Sequence, residues 1–515
     1  MNTYLRKLTQ AGRDFGRAVM GSRSGFEGAS TGRRLAGWSE TTSAISALLS
    51  SEGDTLRARS RGLVRKNCWA KSAQEAWVAN AIGTGITPEP LHPDEATRTQ
   101  LKKLWDKSSV ELDADGLTDF YGLQALAMRE IFEAGEVLVR LRPRYVSDGL
   151  AVPVQMQMIE SEHLPLRDNR TIGGNMIRAG IEFTPYGKRV AYHLYREHPG
   201  LGAMSLLSTN LDQVRVTAES ALHIFAPLRA GQLRGMPWLA PVMVTLYELD
   251  QFVDAVLVRQ KLANMFLGWQ RSIDSSGANP IDYSATMGGE TAPDGIGFGS
   301  LESGTLLDLG NTGMTLEFSS PPDPAASFEM FVGKLLHCVS AGTSVPYTLL
   351  DWNTSEVNYS SMRGELLEFR RRIEQFQFSV MVHQFCRPTW RWWINNAVMA
   401  GVLKTPTDQD GWDALYDVEW RTPRWAWVDP LKDVQAAKES VRCGFTSRTA
   451  VIHELGYDPE QVDAEIASDN ARAKRLGIVS DADPAQTQKN GAAQGTASTD
   501  ETPMEKTDAD DPFGE

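Results

Sequence analysis

Cysteine is scarce: Cys68, Cys338, Cys386 and Cys443 stand far apart in 515 residues, with no CxxC spacing. That usage supports neither a disulfide framework nor a cysteine zinc site, and it suits a reducing compartment. No apolar run is long enough to span a bilayer and no signal-peptide core is present, so no membrane association is expected. The Gly-Lys-Ser/Thr of a phosphate-binding loop never occurs, and neither does an HxH or HExxH pair or a Gly-x-Ser-x-Gly elbow. These absences argue against a phosphate-loop ATPase, a zinc hydrolase and a serine hydrolase. Gly295-x-Gly297-x-Gly299 lacks the strand and helix that a dinucleotide site needs, and it reads as a loop. His337 beside Cys338 falls on a mostly apolar helix and reads as packing, while the acidic pairs Asp113/Asp115 and Asp408/Asp410 are turn-like with no partnered base. The expectation is a non-enzyme without catalytic residues, cofactor or metal. The alternative is a nucleic-acid-processing enzyme with a dispersed metal site involving Asp408 and Asp410, and a generic oligomeric scaffold unrelated to DNA is a third reading.

What the chain has is length, apolar content and an uneven charge. At 515 residues with 42% apolar residues and 14 Trp, it should pack into two or three domains. Net charge is −13, yet residues 1–72 carry 13 Lys+Arg against 5 Asp+Glu, and residues 476–515 carry 2 against 9. An acidic protein is not a tight general DNA binder, because Lys and Arg supply most non-specific affinity for phosphate. A surface along which DNA slides, however, should hold it weakly. The basic N-terminal stretch, with Leu5, Arg6, Lys7, Arg13, Phe15 and Arg17, reads as a solvated arm rather than a transit peptide.

Glycines at 21, 25, 28, 32 and 37 predict little regular structure before residue 45. Asp54 is a candidate cap for a helix over 56–65, and helices are expected at about 72–82, 95–108 and 117–134. Strand-like segments follow at 136–142, 152–158, 181–183 and 189–195, separated by turn residues, which predicts one compact antiparallel β unit. A helix is expected over 237–270. The Gly-, Ser- and Pro-rich stretch 271–326 reads as a small loop-heavy module with strands at Thr305–Asp308 and Thr315–Phe318, and Ser327–Gly342 is helical again. Three short helices should close the folded part. They start at Asp429/Pro430, Ser447 and Asp458/Pro459/Gln461 and stop at Gly444, Gly456 and Gly477. Residues 480–515 lack the apolar content to fold and read as a disordered acidic tail. No internal repeat of fixed period is present.

The most informative segment is 342–385. An apolar helix ends in Gly342-Thr-Ser-Val-Pro346, a polar stretch runs from Asp351 to Ser361, and a long helix over about 362–400 begins near Met362. Leu366, Phe369, Ile373, Phe376 and Val380 share one face of it. Arg363, Arg370, Arg371 and Arg372 lie opposite, either as a solvated face paired with Glu365, Glu368 and Glu374, or as a subunit interface or phosphate-facing surface. Trp390, Trp392, Trp393, Trp420, Trp425 and Trp427 suit core or interface packing better than a base-stacking platform. A polar loop between two long helices is a poor enzyme signature and a good one for a loop that projects into a space and touches something.

The pattern Ala341-Gly342-x-x-Val345-Pro346-x-x-Leu349-Leu350, followed by Asn358-Tyr359-Ser360-Ser361-x-Arg363, resembles the tunnel-loop region of lambda-type bacteriophage portal proteins. Further blocks resemble the same family in order: Phe26-Glu-Gly28-Ala-Ser30 with Arg33-Arg-Leu-Ala-Gly-Trp38; Leu56-Arg-Ala-Arg59-Ser-Arg61 with Leu63-Val-Arg65; Val78-Ala-Asn80 with Gly83-Thr-Gly-Ile86; and His223-Ile-Phe225 with Gly231-Gln-x-Arg-Gly235. The resemblance implies an α+β portal fold and a ring homo-oligomer, usually a dodecamer, at one capsid vertex. Double-stranded DNA would pass through it without sequence reading during packaging and ejection. It implies a flexible basic arm over 1–54, a wing over 55–236, a stem helix over 237–270 and a clip over 271–323. A second stem helix would cover 324–350, a tunnel loop 351–361, a long helix returning to the wing 362–428, a helical crown 429–479 and the acidic tail 480–515. Partners implied are the terminase large subunit, the major capsid or scaffold protein and a head–tail connector or adaptor protein. The location implied is the virion, and the host cytoplasm during assembly. Trp352, Asn353, Thr354, Asn358, Tyr359, Ser360 and Arg363 would face DNA, and Arg370, Arg371, Arg372, Trp390 and Trp392 are subunit-interface candidates. The loop holds Asp351 and Glu356 but no Lys or Arg before Arg363, so contact at its tip would be polar or steric.

Overall fold

A computed structural model describes residues 42–201, 212–265, 269–272, 314–317, 325–353, 358–423, 425, 430–455, 457 and 459–478. Residues 1–41, most of the 271–323 module, the glycine cluster at 295–299, the strand candidate Thr305–Asp308, Thr354, Glu356, Trp427 and the acidic tail lie outside them. The described fold is α+β.

Helix α1 (Ile45–Lys66) starts well before the expected site, and Asp54 lies inside it. The reason is packing: Leu49, Gly53, Arg57, Ser60 and Val64 form one buried face. A Cβ on Gly53 would come within 2.6 Å of Leu166, so this glycine is a contact point and not a breaker. Helix α2 (Cys68–Ala81) follows at once, with the Asn67 side chain accepting from Trp69 and Ala70 N–H. Strand β1 (Thr87–Pro90) precedes α3 (Glu95–Ser109, capped by Asp94) and α4 (Phe120–Ala134, capped by Asp119). Gly135 ends α4 at φ +90°, where it crosses Gly235–Met236 backbone to backbone, and a Cβ at residue 135 would lie 2.2 Å from the Met236 carbonyl carbon.

The expected single β unit is two antiparallel sheets. Strands β2 (Glu136–Pro143) and β3 (Val154–Ile159) join β9 (Ala221–Phe225) in the order β3-β2-β9. Strands β4 (Arg170–Ile172), β5 (Asn175–Arg178), β6 (Ile181–Phe183), β7 (Arg189–Tyr195) and β8 (Gln213–Thr217) follow one another in a second sheet. The division follows from β2. Val137 and Val139 face the helical core, while Leu138 faces a second core with Leu164, Ile181, Tyr192, Leu194 and Val216.

Helices α5 (Met243–Met265) and α6 (Ala325–Thr343) pack with Phe252 against Phe328 and Phe331, at centroid distances of 5.7 and 5.1 Å. Between them in sequence, β10 (Trp269–Ser272) pairs with β11 (Met314–Glu317). After the short α7 (Tyr347–Asp351), α8 (Tyr359–Phe376) runs into a π-helical segment (Gln377–Cys386) and then α9 (Arg387–Met399). The expected single helix is thus continuous but widened in its middle. There Gln377 donates to Ala81 O at 2.8 Å, and Gln384 pairs with both N–H and C=O of Phe225 at 3.1 Å. Side-chain amides bonding outside backbone groups at this point accompany the change of helical pitch. Helix α10 (Gln409–Tyr416) leads to β12 (Val418–Arg421), which pairs with β1. Trp105, Trp390, Trp393, Phe120 and Phe385 form an aromatic knot beneath them. Helices α11 (Pro430–Arg442), α12 (Arg448–Glu454, capped by Ser447) and α13 (Pro459–Leu476) close the described chain, with Gly444 and Gly477 at positive φ after the first and third. Among the described residues no helix is long and apolar enough to cross a membrane.

A candidate nucleic-acid-facing loop and its support

The loop hangs from a tightly fixed helix end. Gly342 lies against Val242 at the start of α5, where a Cβ would meet Cγ1 at 2.2 Å, so only glycine lets the two helices approach this closely. The carbonyl of Thr343, left over at the end of α6, accepts from Trp77 Nε1 at 3.0 Å. Ser344 turns the chain at φ +58°, and Ser340 fastens the return: its Oγ donates to Val345 O and its carbonyl accepts from Val345 N–H. Pro346 then opens α7.

Trp352 caps α7 in the left-handed region at φ +57° and is 76% exposed. Its indole N–H donates to Ser72 Oγ at 3.2 Å, and Ser72 donates to Leu349 O at 3.0 Å, so α2 carries the near edge of the loop. Asn353 is exposed. On the far edge Asn358 is the N-cap of α8, its Oδ1 accepting from Ser361 N–H at 2.9 Å. Tyr359 and Ser360 therefore form the first turn of α8, three residues ahead of the expected start at Met362, and Thr354 lies outside the described residues. The capping asparagine explains the shift, since a helix begins where its orphan N–H groups find an acceptor.

The arginine row is mostly engaged within the chain. Arg363 lies 3.6 Å from Asp433 of α11, and Arg371 and Arg372 flank Glu368 at 3.7 and 3.8 Å. The Arg370 guanidinium sits 4.9 Å from the centre of the Trp425 ring, and burial pulls its basicity down. Phe369, Ile373, Phe376 and Val380 are buried on the opposite face, as expected. Trp390 corrects an expectation: at 1% exposure, with its Nε1 on Leu415 O, it packs inside the subunit and leaves no ring surface for an interface. Trp392 is half-buried and donates to Glu219 O.

The residues considered for chemistry have structural duties. Asp408 caps α10 through Gly411 N–H, with Asp410 in that helix's first turn. Asp113 accepts from the backbone of Asp115, Leu117 and Thr118. His337 stacks on Tyr347 at 4.2 Å, while the neighbouring Cys338 is exposed. Glu160, Glu162 and His198 bring ligand atoms within 4.8 Å of one another, but both oxygens of Glu162 accept from Arg61, which places a cation there already.

A buried ionic cluster is not legible in the sequence as such. Fully buried Glu136, the first residue of β2, accepts from Arg57 Nη2 at 2.8 Å, Arg234 Nε at 2.8 Å, His223 Nε2 at 2.9 Å and Gly235 N–H at 2.6 Å. Burial alone would raise the Glu136 carboxyl, yet Arg234, Arg57 and His223 hold it well below the usual carboxylate range. His223 is pushed down by burial and so stays neutral, its Nε2–H donating to Glu136. Arg234 also donates to Ala179 O and Leu164 O, which ties the second sheet to the first. Beside it Arg61 joins Glu130, Glu133 and Glu162. Burial lifts Glu130 to about 7, whereas Arg61, working against burial, draws Glu162 to about 2. The sequence blocks 56–61, 223–225 and 231–235 thus meet at one carboxylate. The only signal of it in the sequence is the apolar company of two arginines and a histidine.

Residues 31–377 match the family of phage portal proteins described as the lambda family. The chain is 28% identical over 440 residues to a probable portal protein of Halomonas phage phiHAP-1, covering 82% of each chain. It is 22% identical over 527 residues to portal protein B of Escherichia phage lambda, covering 92% of this chain and 93% of that one. Among solved structures it is similar to a chain from the neck of a native GTA particle computed with C12 symmetry, at 13% identity and a TM-score of 0.43, covering 78% of this chain and 94% of that one. It is also similar to an HK97 family phage portal protein from Corynebacterium diphtheriae, at 10% identity and a TM-score of 0.28, covering 59% and 82%.

Proposed function

This chain belongs to the lambda family of phage portal proteins, and from that premise we propose that it assembles as a ring, a dodecamer, at one capsid vertex and conducts double-stranded DNA. As a portal protein it is a structural and not a catalytic part of the phage head. The ring docks the terminase large subunit during packaging and a head–tail connector or adaptor protein afterwards, and it sits in a shell of major capsid or scaffold protein. Its place is the virion, after assembly in the host cytoplasm.

The pairing of β1 with β12 and the packing of Trp105 on Trp390 and Trp393 support a wing built from residues 55–236 together with the return after α9. The Phe252 contacts support α5 and α6 as paired stem helices, with the clip between them and α11–α13 as the crown. The observation that carries the reading is the family match over residues 31–377, inside which lies a polar loop held at both edges, by Trp352 on Ser72 and by the Asn358 cap. With no Lys or Arg between Gly342 and Met362, the loop meets DNA by shape and polar contact, which lets the duplex slide. Replacing residues 353–357 with a Gly-Ser linker in the assembled phage should leave rings and heads intact while DNA packaging fails. Heads filled normally with the linker in place would overturn the conduit role assigned to this loop.

A further inference from the structure

We propose that the β2–β3 hairpin carries a second DNA-binding element, a cationic strip that holds the phosphate backbone of duplex DNA away from the loop described above. Arg140 and Arg142 stand on one face of β2 opposite Gln157 and Gln155 of β3. Arg144 continues the row beyond the strand, its N–H closing on Pro153 O at 2.9 Å. Arg142 Nε donates to Gln157 Oε1 at 3.0 Å and Arg144 Nε to Gln155 Oε1 at 2.7 Å, which places all three arginines and both glutamines on the same face. Alternate residues of a strand repeat at about 6.8 Å, which sets the backbone spacing of Arg140 and Arg142 along the row.

These three lack the carboxylate partner that several arginines of the β unit and its supporting helices have. Arg57, Arg61, Arg129, Arg215 and Arg234 each lie within 4 Å of a carboxylate, whereas no carboxylate among the described residues does so for Arg140, Arg142 or Arg144. The nearby acids are turned to backbone. Glu111 accepts from Ala151 N–H, Asp113 from the turn 115–118, and Asp148 from Tyr145 N–H. Arg140 is half-buried with its charged form disfavoured by burial and by Arg142, a cost that an incoming anion would relieve. In a chain of net charge −13, a line of three uncompensated guanidiniums on a platform of amides is a local reversal of sign. Between the arginines of the strip stand the glutamine amides of Gln155 and Gln157, with the exposed Tyr145 and Val146 beyond its end in the hairpin turn. Regularly repeated phosphate oxygens fit it, without base reading. The choice of duplex DNA as occupant rests on the portal reading; the cationic strip itself does not.

The test is fluorescence anisotropy of a short mixed-sequence DNA duplex with the full-length chain over a salt series, comparing wild type with R140Q/R142Q/R144Q at matched particle mass. Each lost phosphate contact should make the slope of log K against log salt shallower by about 0.9, and so by up to about 2.7 for the three. A control at an exposed, paired arginine, R442Q, should leave the slope in place. If the triple variant melts early, the single variant R142Q should still show the loss of about one contact. An unchanged slope overturns the proposal. So does an acidic peptide that binds wild type more tightly than the duplex and needs the same three arginines, since the strip would then be a protein-docking surface. A chain with the 353–357 linker should keep the full slope, which separates failure of the strip from failure of the loop.

Discussion

Changing Glu136 to Gln removes one charge from a heavily bonded, fully buried site while keeping its volume. In the wild type, four donors converge on this carboxylate, two of them buried arginines. Glutamine offers one acceptor oxygen and two unwanted donors, so Arg57 and Arg234 lose their counter-charge and at least one bond becomes a donor–donor clash. Breaking a buried ion pair from one side costs about 3–5 kcal/mol, because the remaining charge stays buried. Urea unfolding of the unassembled chain at pH 7 should therefore show the midpoint falling by that amount divided by an unchanged slope. The pH dependence has a fixed sign. The carboxyl of Glu136 is held well below its unfolded value, so its contribution is fully present above about pH 4.3 and is lost as pH falls further through the folded value. The gap between wild type and variant should then narrow in acid. His223, kept neutral by burial, adds a loss in both chains that begins below about pH 6.5. A cost under about 1 kcal/mol at pH 7, or a gap that widens in acid, would refute the reasoning.

Gly342→Ala should destabilise by about 1–3 kcal/mol through overpacking against Val242, and the loss should shrink in a Val242→Ala background, read as a double-mutant cycle of thermal melts. Gly364 has open space where a Cβ would stand, so it should accept alanine with a gain of up to about 1 kcal/mol, while Gly364→Pro inside α8 should cost about 3 kcal/mol or more by denaturant unfolding. On Arg61, Glu162→Gln should lose more stability at pH 8 than Glu130→Gln, since Glu162 is held near 2 and Glu130 near 7. Glu130 has a raised folded value, so its contribution is fullest below its unfolded value of about 4.3 and disappears as pH rises through 7, and melts of Glu130→Gln at pH 5 and pH 8 should show that trend.

Much of the architecture can be read from local pattern. Strands 181–183 and 189–195 are short apolar runs bounded by turn residues, the stripe Phe369–Val380 keeps helical spacing, and all three stand where expected. Where tertiary packing decides, local pattern misleads. Asp54 reads locally as a helix cap, yet its neighbour Gly53 is buried against Leu166 and α1 runs through both. The partition into two sheets depends on β2 being buried on both faces, which a run such as Val137-Leu138-Val139 does not announce. The loop's position is visible because polar residues interrupt two helical patterns, but nothing in that interruption singles out Asn358 as the cap that fixes its far edge. The Glu136 cluster draws partners from 79 to 99 positions away on either side of it, and charge complementarity at that range leaves no periodic trace.

The central claim is a ring with an open channel, and the most direct measurement is negative-stain electron microscopy of the full-length chain with particle mass determined in parallel. The account predicts closed rings of about a dozen subunits around an open centre, formed alone or with capsid and scaffold partners. Monomers or compact dimers that persist when those partners are supplied would contradict it.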